Sequence, residues 1–385
     1  MTARDTRFMR SFGVEEELIL VDQETGVPLP LAPEALAAAP DPGEGPRVDS
    51  EIQQEMLETQ TQPQTSAALL LADVRAGREL ADSLARPLGA RAVALAMSPL
   101  VVRPHTTDKP RYATMVERYG ATAGTLVCGC HVHVAIDSRE EGVAVLDRIR
   151  TWLPVLLGLS ANSPFAQGVD TGYASFRYVA WHQWQSAGPT DVFGSVEAHD
   201  AFENMLVDTG VILDHGMLYF DARLSRKQPT LEVRIADVCL DARDTVVLAA
   251  LVRALVDTAA EEWRDGVAPV AMPSAALRLA GWQAALTGAG GRLPHPVHGR
   301  ETDGQQAVGA LLAHVDRALT ANGDRERVRR GVRRILDTGG GAGAQRASFA
   351  RTERLSDVVA DAVMATYVAA ADPADGLAQR SSSAS

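Results

Sequence analysis

The 385-residue sequence predicts an α+β fold, in which helices join β-strands and the polar faces of those strands meet in one cleft. Three observations carry this expectation. Three separate segments alternate polar and aliphatic side chains at period two, as half-buried strands do. Longer segments between and after them have the apolar spacing of helices. No internal repeat organises the chain.

The first strand is 11–21, in which Phe12, Val14, Leu18 and Leu20 alternate. Side chains two apart share a face of a pleated strand, so Glu15 and Glu17 point one way and Glu16 the other. Neighbouring carboxylates repel and lose hydration unless a cation or proton relieves them. Taken alone, three acids in a row describe a solvated edge equally well. The segment 127–136 repeats the device: His131 and His133 share one face, Val132 and Val134 the other. In 230–238, Glu232 and Arg234 lie together, opposed by Leu231, Val233 and Ile235. A sheet with one apolar face on helices and one polar face lining a cleft produces this pattern. A lone strand histidine is usually a satisfied core residue, and a lone glutamate usually points to water. Six such residues at matched spacing indicate a site.

A fourth segment, 49–58, supplies more acids. Glu51, Glu55 and Glu58 stand at i, i+4 and i+7, one acidic stripe if the segment is helical. The Thr-Gln-Thr-Gln-Pro that follows disfavours a long helix, so 56–61 reads equally as a strand carrying Glu58.

Helices are expected over 67–96, over 140–160 with a break near Pro154, and over 198–213, 242–264, 274–286, 304–321 and 355–369. Residues 37–48 and 288–304, the latter holding Pro294 and Pro296, read as loops. Residues 1–10 and 372–385 are expected to be disordered, flanking a single domain over 11–371.

Composition narrows the class. Hydrophobic residues make up 46% and charged residues 22%, an ordinary balance for a soluble globular protein large enough to bury a sizeable core. The net charge of −12 and the lack of a basic run interleaved with aromatics argue against nucleic acid as a partner. No apolar run approaches a membrane span, and the N-terminus lacks the apolar core of a signal peptide. Cys128, Cys130 and Cys239 are odd in number and lie in strand segments, which fits buried reduced thiols in a cytoplasmic protein. Cys128 and Cys130 should face with Val132, away from His131.

Neither a P-loop nor a strand-linked dinucleotide fingerprint is present. The run 339–343, Gly-Gly-Gly-Ala-Gly, reads as a flexible connector between helices, with a mobile lid as the alternative. A bound nucleotide would therefore depend on metal ions and arginines to hold its phosphates, a role that suits Mg²⁺ on carboxylates.

Phe-Gly-Val-Glu-Glu-Glu-Leu at 12–18, Gly-Cys-His-Val-His-Val at 129–134 and Leu-Glu-Val-Arg-Ile-Ala-Asp at 231–237 together resemble the carboxylate–amine ligases of the glutamate–cysteine ligase type 2 family. The blocks at 152–164 and 168–177 extend the resemblance, which runs from about 11 to about 365. It implies a glutamine synthetase-like fold: a curved, mainly antiparallel sheet forming a funnel, with helices outside. It also implies an ATP-dependent ligase that phosphorylates the side-chain carboxylate of glutamate and lets an amine, cysteine by default, displace phosphate. Phosphoryl transfer is mostly positioning and charge neutralisation, supplied by Mg²⁺ or Mn²⁺ on the phosphates.

By the resemblance, Glu15, Glu51 and Glu58 hold one metal, and Glu17, His131 and Glu232 the second. His133 lies beside the phosphates of ATP. Arg234 stabilises the transferred phosphoryl group through its guanidinium fork. Arg177 meets the substrate carboxylate or the acyl phosphate, or else forms a surface ion pair. The family often has aspartate where Glu51 stands, which leaves Asp49 as a substitute, and Glu55 is expected behind the ligands or in solvent. His131 is preferred over His133 as ligand by its place after Gly129-Cys130. The implied partners are small molecules, with the amine acceptor unspecified and a homo-oligomer left open. The competing class is a metal-dependent His-x-His amidohydrolase. That class, however, sets the motif on the first strand and adds later metal-binding histidines, whereas His182, His199 and His215 lie outside convincing strands here.

Overall fold

Alternating sequence becomes sheet wherever one face can be buried, and among the described residues the main sheet has seven strands. The strands are β1 (Phe12–Asp22), β2 (Arg47–Ser50), β3 (Met56–Gln60), β4 (Ala90–Val93), β5 (Gly129–Ala135), β6 (Ala222–Leu224) and β7 (Thr230–Asp237). The computed structural model describes residues 9–40, 43 and 45–368. The strand order is β2-β3-β1-β5-β7-β6, with β4 paired to the C-terminal part of β1. Every pairing in this sheet is antiparallel.

One face is apolar, as expected. Phe12, Val14, Val132, Val233 and Ile235 join one core cluster with Leu70 and Val74 of α1 (Ala67–Ala85) and Val246 and Ala250 of α4 (Ala242–Arg264). Two further helices, α2 (Pro110–Tyr119) and α3 (Phe176–Trp181), stand on the cleft side. The last helix, Leu355–Tyr367, returns to the first strands, where Val359 and Val363 pack with Leu20 and Val93.

Glu16 points to the apolar face and is only 1% exposed. Arg78 of α1 meets it with a two-pronged guanidinium, Nε to Oε2 at 2.8 Å and Nη2 to Oε1 at 2.7 Å. The Thr245 hydroxyl adds a 2.6 Å hydrogen bond to Oε1. A buried carboxylate with this many donors is a rivet between sheet and helices rather than a solvated edge.

Several local expectations are corrected. The helix over 67–96 ends at Ala85; a 3₁₀ turn at Arg86–Leu88 and a left-handed Gly89 (φ 76°) turn the chain into β4. Residues 56–60 form a strand, which excludes the helical stripe of Glu51, Glu55 and Glu58. The loop over 288–304 contains a small hairpin, Arg292–Pro294 against Glu301–Asp303. The glycine run is no flexible connector: Gly339 (φ 75°) caps the helix Arg325–Thr338, and Gly340 begins the helix Gly340–Thr352. Gly341 is there for closeness, since a Cβ would lie 2.2 Å from Asn162 Oδ1.

Residues 1–8 and 369–385 lie outside the described residues, and so does the whole expected C-terminal tail. Arg10, within the expected disordered start, is instead tied down. Its Nη1 donates to Glu141 Oε1 at 2.7 Å and its Nε to Asp257 Oδ1 at 3.0 Å.

Candidate active site

Antiparallel register decides which polar groups meet on the other face. Glu17 stands opposite Glu58, and Glu15 opposite His131. Glu58 is also paired with Asp49 on β2. Between Cys130 and Val132 the β5–β7 register slips by a bulge, which sets His133 opposite Glu232. Arg223 on β6 then faces Glu232 from the far side. The result is a cleft of about 560 Å³ whose floor carries Glu15, Glu17, Glu58, His131, His133, Glu232 and Arg234. Glu51 lines it from the β2–β3 loop, and Tyr112, Trp181, Trp184 and Tyr219 form an aromatic wall.

Seen as possible cation sites, the ligand atoms fall into three groups with all members within 4.8 Å: Glu17, Glu51 and Glu58; Glu15, Glu58 and His131; Glu15, His133 and Glu232. The expected residues do converge, but in different sets. Glu17, not Glu15, joins Glu51 and Glu58, because Glu17 is the register partner of Glu58. Glu232 joins His133 rather than Glu17 and His131, because the bulge moves His133 opposite it. Both histidines reach Glu15: His131 Nδ1 is 3.3 Å from Oε2, and His133 Nε2 is 3.5 Å from Oε1.

The charges are strained in opposite directions. Burial pushes the Glu51 carboxyl up to about 7, helped by Glu17. Burial, then Glu15 and Glu51, raises Glu58 well above its ordinary value. Burial would raise Glu15 and Glu232 too, yet both are held low, Glu15 by a hydrogen bond with His131 and the nearby His133 imidazole, and Glu232 by Arg234 and Arg223. Burial, with Arg234 nearby, lowers His131. For His133, burial works downward, but Glu15 and Glu232 outweigh it and raise the ring. Its Nδ1 bonds Thr230 Oγ1 at 3.0 Å, whereas Nε2 is buried and makes no hydrogen bond among the described residues. Clustered carboxylates, two imidazoles and an orphaned buried nitrogen aimed at Glu15 form a donor set that fits hard divalent cations.

Arg234 ion-pairs with Glu232, and Arg223 brackets the same carboxylate with Nε at 2.8 Å and Nη2 at 3.3 Å. Burial works against charge on Arg234, but Glu232 beside it outweighs this and keeps the guanidinium protonated. Arg177 is 3% exposed, so it is no surface ion pair, and it is not among the residues that line the cleft. Its Nη1 lies 3.8 Å from Asp237 Oδ1 and 3.3 Å from the Ile235 carbonyl. A Cβ at Gly129 would fall 2.2 Å from its Nη2. The glycine of Gly-Cys-His-Val-His is thus required because Arg177 runs beneath it.

Glu55 is buried behind the cleft, accepting the His105 backbone N–H at 3.0 Å and bonding its ring Nδ1 at 2.7 Å. Cys128, Cys130 and Cys239 are free and buried, and Cys130 packs in the cluster that holds Val132. Among the described residues, no cation group contains more than one histidine. With an antiparallel sheet in place of a barrel, this removes the amidohydrolase alternative. Sequence reasoning missed Arg223, although Ala222 and Leu224 on either side of it carry a faint period-two signal in a strand of three residues. The aromatic wall gave no signal, because its members are scattered from 112 to 219.

The fold and the cleft are those of a carboxylate–amine ligase. The chain belongs to the glutamate–cysteine ligase family 2, whose family model matches residues 11–362. It is 50% identical over 363 residues to a protein of Streptomyces coelicolor provisionally named glutamate–cysteine ligase 2, covering 94% of this chain and 100% of that one. A similarly named protein of Paenarthrobacter aurescens is 49% identical over 366 residues, covering 93% and 95%. Among solved structures, a glutamate–cysteine ligase of Francisella tularensis in complex with AMP superposes with a TM-score of 0.68 at 13% identity, covering 97% of this chain and 92% of that one. A bifunctional glutathione synthetase of Pasteurella multocida gives 0.64 at 14% identity, covering 93% and 51%. No helix among the described residues is long and apolar enough to cross a membrane.

Proposed function

We propose that the chain joins the γ-carboxylate of glutamate to an amine, cysteine in the first instance, at the expense of ATP. One observation supports this above the others: of the nine site residues marked in the sequence, seven stand on one sheet face and an eighth, Glu51, on the loop above it, with Arg177 alone outside the cleft lining.

When bound, divalent cations would neutralise nucleotide phosphates and align them with the acceptor carboxylate. Glu17, Glu51 and Glu58 would hold one cation; Glu15, with His131 or His133 and Glu232, would hold further charge. The Arg234 guanidinium stays protonated and faces this floor, so it can balance charge as the phosphoryl group leaves the nucleotide. Glu232, itself held by Arg223, fixes that guanidinium in place, and the aromatic wall shields the reacting groups from water. The γ-carboxylate oxygen attacks the terminal phosphorus and ADP leaves. The amine nitrogen then attacks the acyl carbon, loses a proton and expels phosphate, which carries away one oxygen of the original carboxylate.

The reading is tested by ADP release in a screen of amines. Release should need ATP, Mg²⁺ or Mn²⁺, glutamate and an amine together. Cleavage of an amide without nucleotide would refute it.

A further inference from the structure

Basic residues in this chain are almost all arginine. Of the 37 lysines and arginines, two are lysines, Lys109 and Lys227. Both line the cleft, Lys109 immediately before α2 and Lys227 in the turn joining β6 to β7. The cleft arginines are already engaged. Arg111 grips Asp214 with two 3.0 Å hydrogen bonds, Arg223 and Arg234 share Glu232, and Arg226 lies 3.3 Å from Glu203. Lys109 and Lys227 are exposed and pair with no carboxylate among the described residues; Lys109 Nζ rests 5.3 Å from the centre of the Tyr112 ring.

The position of Lys109 is electrostatically wrong for a residue that is merely solvated. It is the N-cap of α2, whose first turn holds no acidic side chain and whose cap makes no side-chain hydrogen bond. The positive end of a helix favours anions and disfavours a cation. A lysine there is relieved when an anion arrives. Lys227 sits beside Arg226 at the exposed tip of a turn that is closed at its base by the Ser225 amide donating to the Thr230 carbonyl at 2.9 Å. A lysine differs usefully from the locked arginines, since its ammonium is a compact charge on a flexible stem and can follow a group that moves.

We propose that Lys109 and Lys227 are substrate-binding residues of this cleft, supplying free ammonium groups to the anionic oxygens of the bound substrates. Lys227 lies in the turn that leads to Thr230, whose Oγ1 holds His133, the imidazole assigned to the nucleotide phosphates, and so serves those phosphates; Lys109, beside Tyr112 of the aromatic wall, serves the carboxylate of the amino-acid substrate. The assignment rests on the ligase reading above.

Their scarcity makes the test direct, because they are the chain's only side-chain amines. The full chain is acetylated briefly with a water-soluble amine-directed ester, alone, with Mg²⁺ and a non-hydrolysable ATP analogue, and with L-glutamate added, and each site is read by mass spectrometry. The nucleotide should protect Lys227, and glutamate should then protect Lys109, each by about tenfold at saturating ligand. Calorimetry on the same samples reports whether the ligands bind. Binding without protection at either lysine overturns this proposal and spares the ligase reading; no binding of either ligand overturns both. In kinetics, Lys227→Gln should raise KM for ATP about tenfold with little change for glutamate, and Lys109→Gln the reverse. An unchanged KM in both variants would count against the assignment.

Discussion

Glu17 and Glu58 stand opposite each other across two strands, and neither could tolerate that position in a dry core without a counter-charge. Glu17→Gln keeps the shape and removes one charge, so ligation should fall at least about a hundredfold with the circular dichroism spectrum unchanged. Retention of most activity would remove Glu17 from the site. Arg234→Ala should lower kcat by about a hundredfold while KM for ATP changes little, since its charge matters most as phosphoryl transfer proceeds. Equal losses in both constants would mark it as a simple binding group. Glu51 carries a pH signature. Burial and Glu17 hold its carboxyl up at about 7 in the metal-free fold. A raised carboxyl favours the fold below its ordinary value, and that contribution is lost as pH rises through about 7. In chelator, therefore, wild type should lose stability relative to Glu51→Gln between pH 5 and pH 8, by at most about 1.4 kcal/mol per pH unit. Parallel melting curves for the two proteins across that range would contradict the assignment. Which residues belong to the floor was legible at this scale, because period two fixes facing. Their grouping was not, because it depends on register and on the bulge after Cys130, and neither leaves a mark in local sequence.

Between elements, the fold relies on the face opposite the cleft. The bidentate Arg78–Glu16 pair ties α1 to β1, and Arg78 also donates to the Leu240 and Cys239 carbonyls at 2.8 and 2.6 Å. Arg78→Ala would leave a buried carboxylate and two carbonyls without their partner, at a cost of about 3–5 kcal/mol in denaturant unfolding. A loss below about 1 kcal/mol would mean that Glu16 simply takes up a proton. Glu16 also shows how a sequence misleads: three consecutive glutamates look like a charged edge, yet the middle one is the most buried. Strong periodic elements were read well, and 242–264 and 304–321 have the bounds expected of them. The run 339–343 was misread as looseness: a Cβ at Gly341 would strike Asn162, so this glycine marks close approach, as Gly129 does over Arg177. The charged helix Arg325–Thr338 escaped notice because only Val328, Gly331, Val332 and Ile335 are buried in it.

For the whole molecule, strands from β1 to β7, more than two hundred residues apart in sequence, supply one floor, so the site exists only once the sheet is complete. The most direct measurement follows an oxygen atom. Glutamate labelled with ¹⁸O in its γ-carboxylate is incubated with ATP, Mg²⁺ and cysteine, or with hydroxylamine as a small substitute amine, and the released phosphate is weighed by mass spectrometry. Activation of the carboxylate by the nucleotide predicts one heavy oxygen in each phosphate. Phosphate released without label, or amide formed without nucleotide, would contradict it.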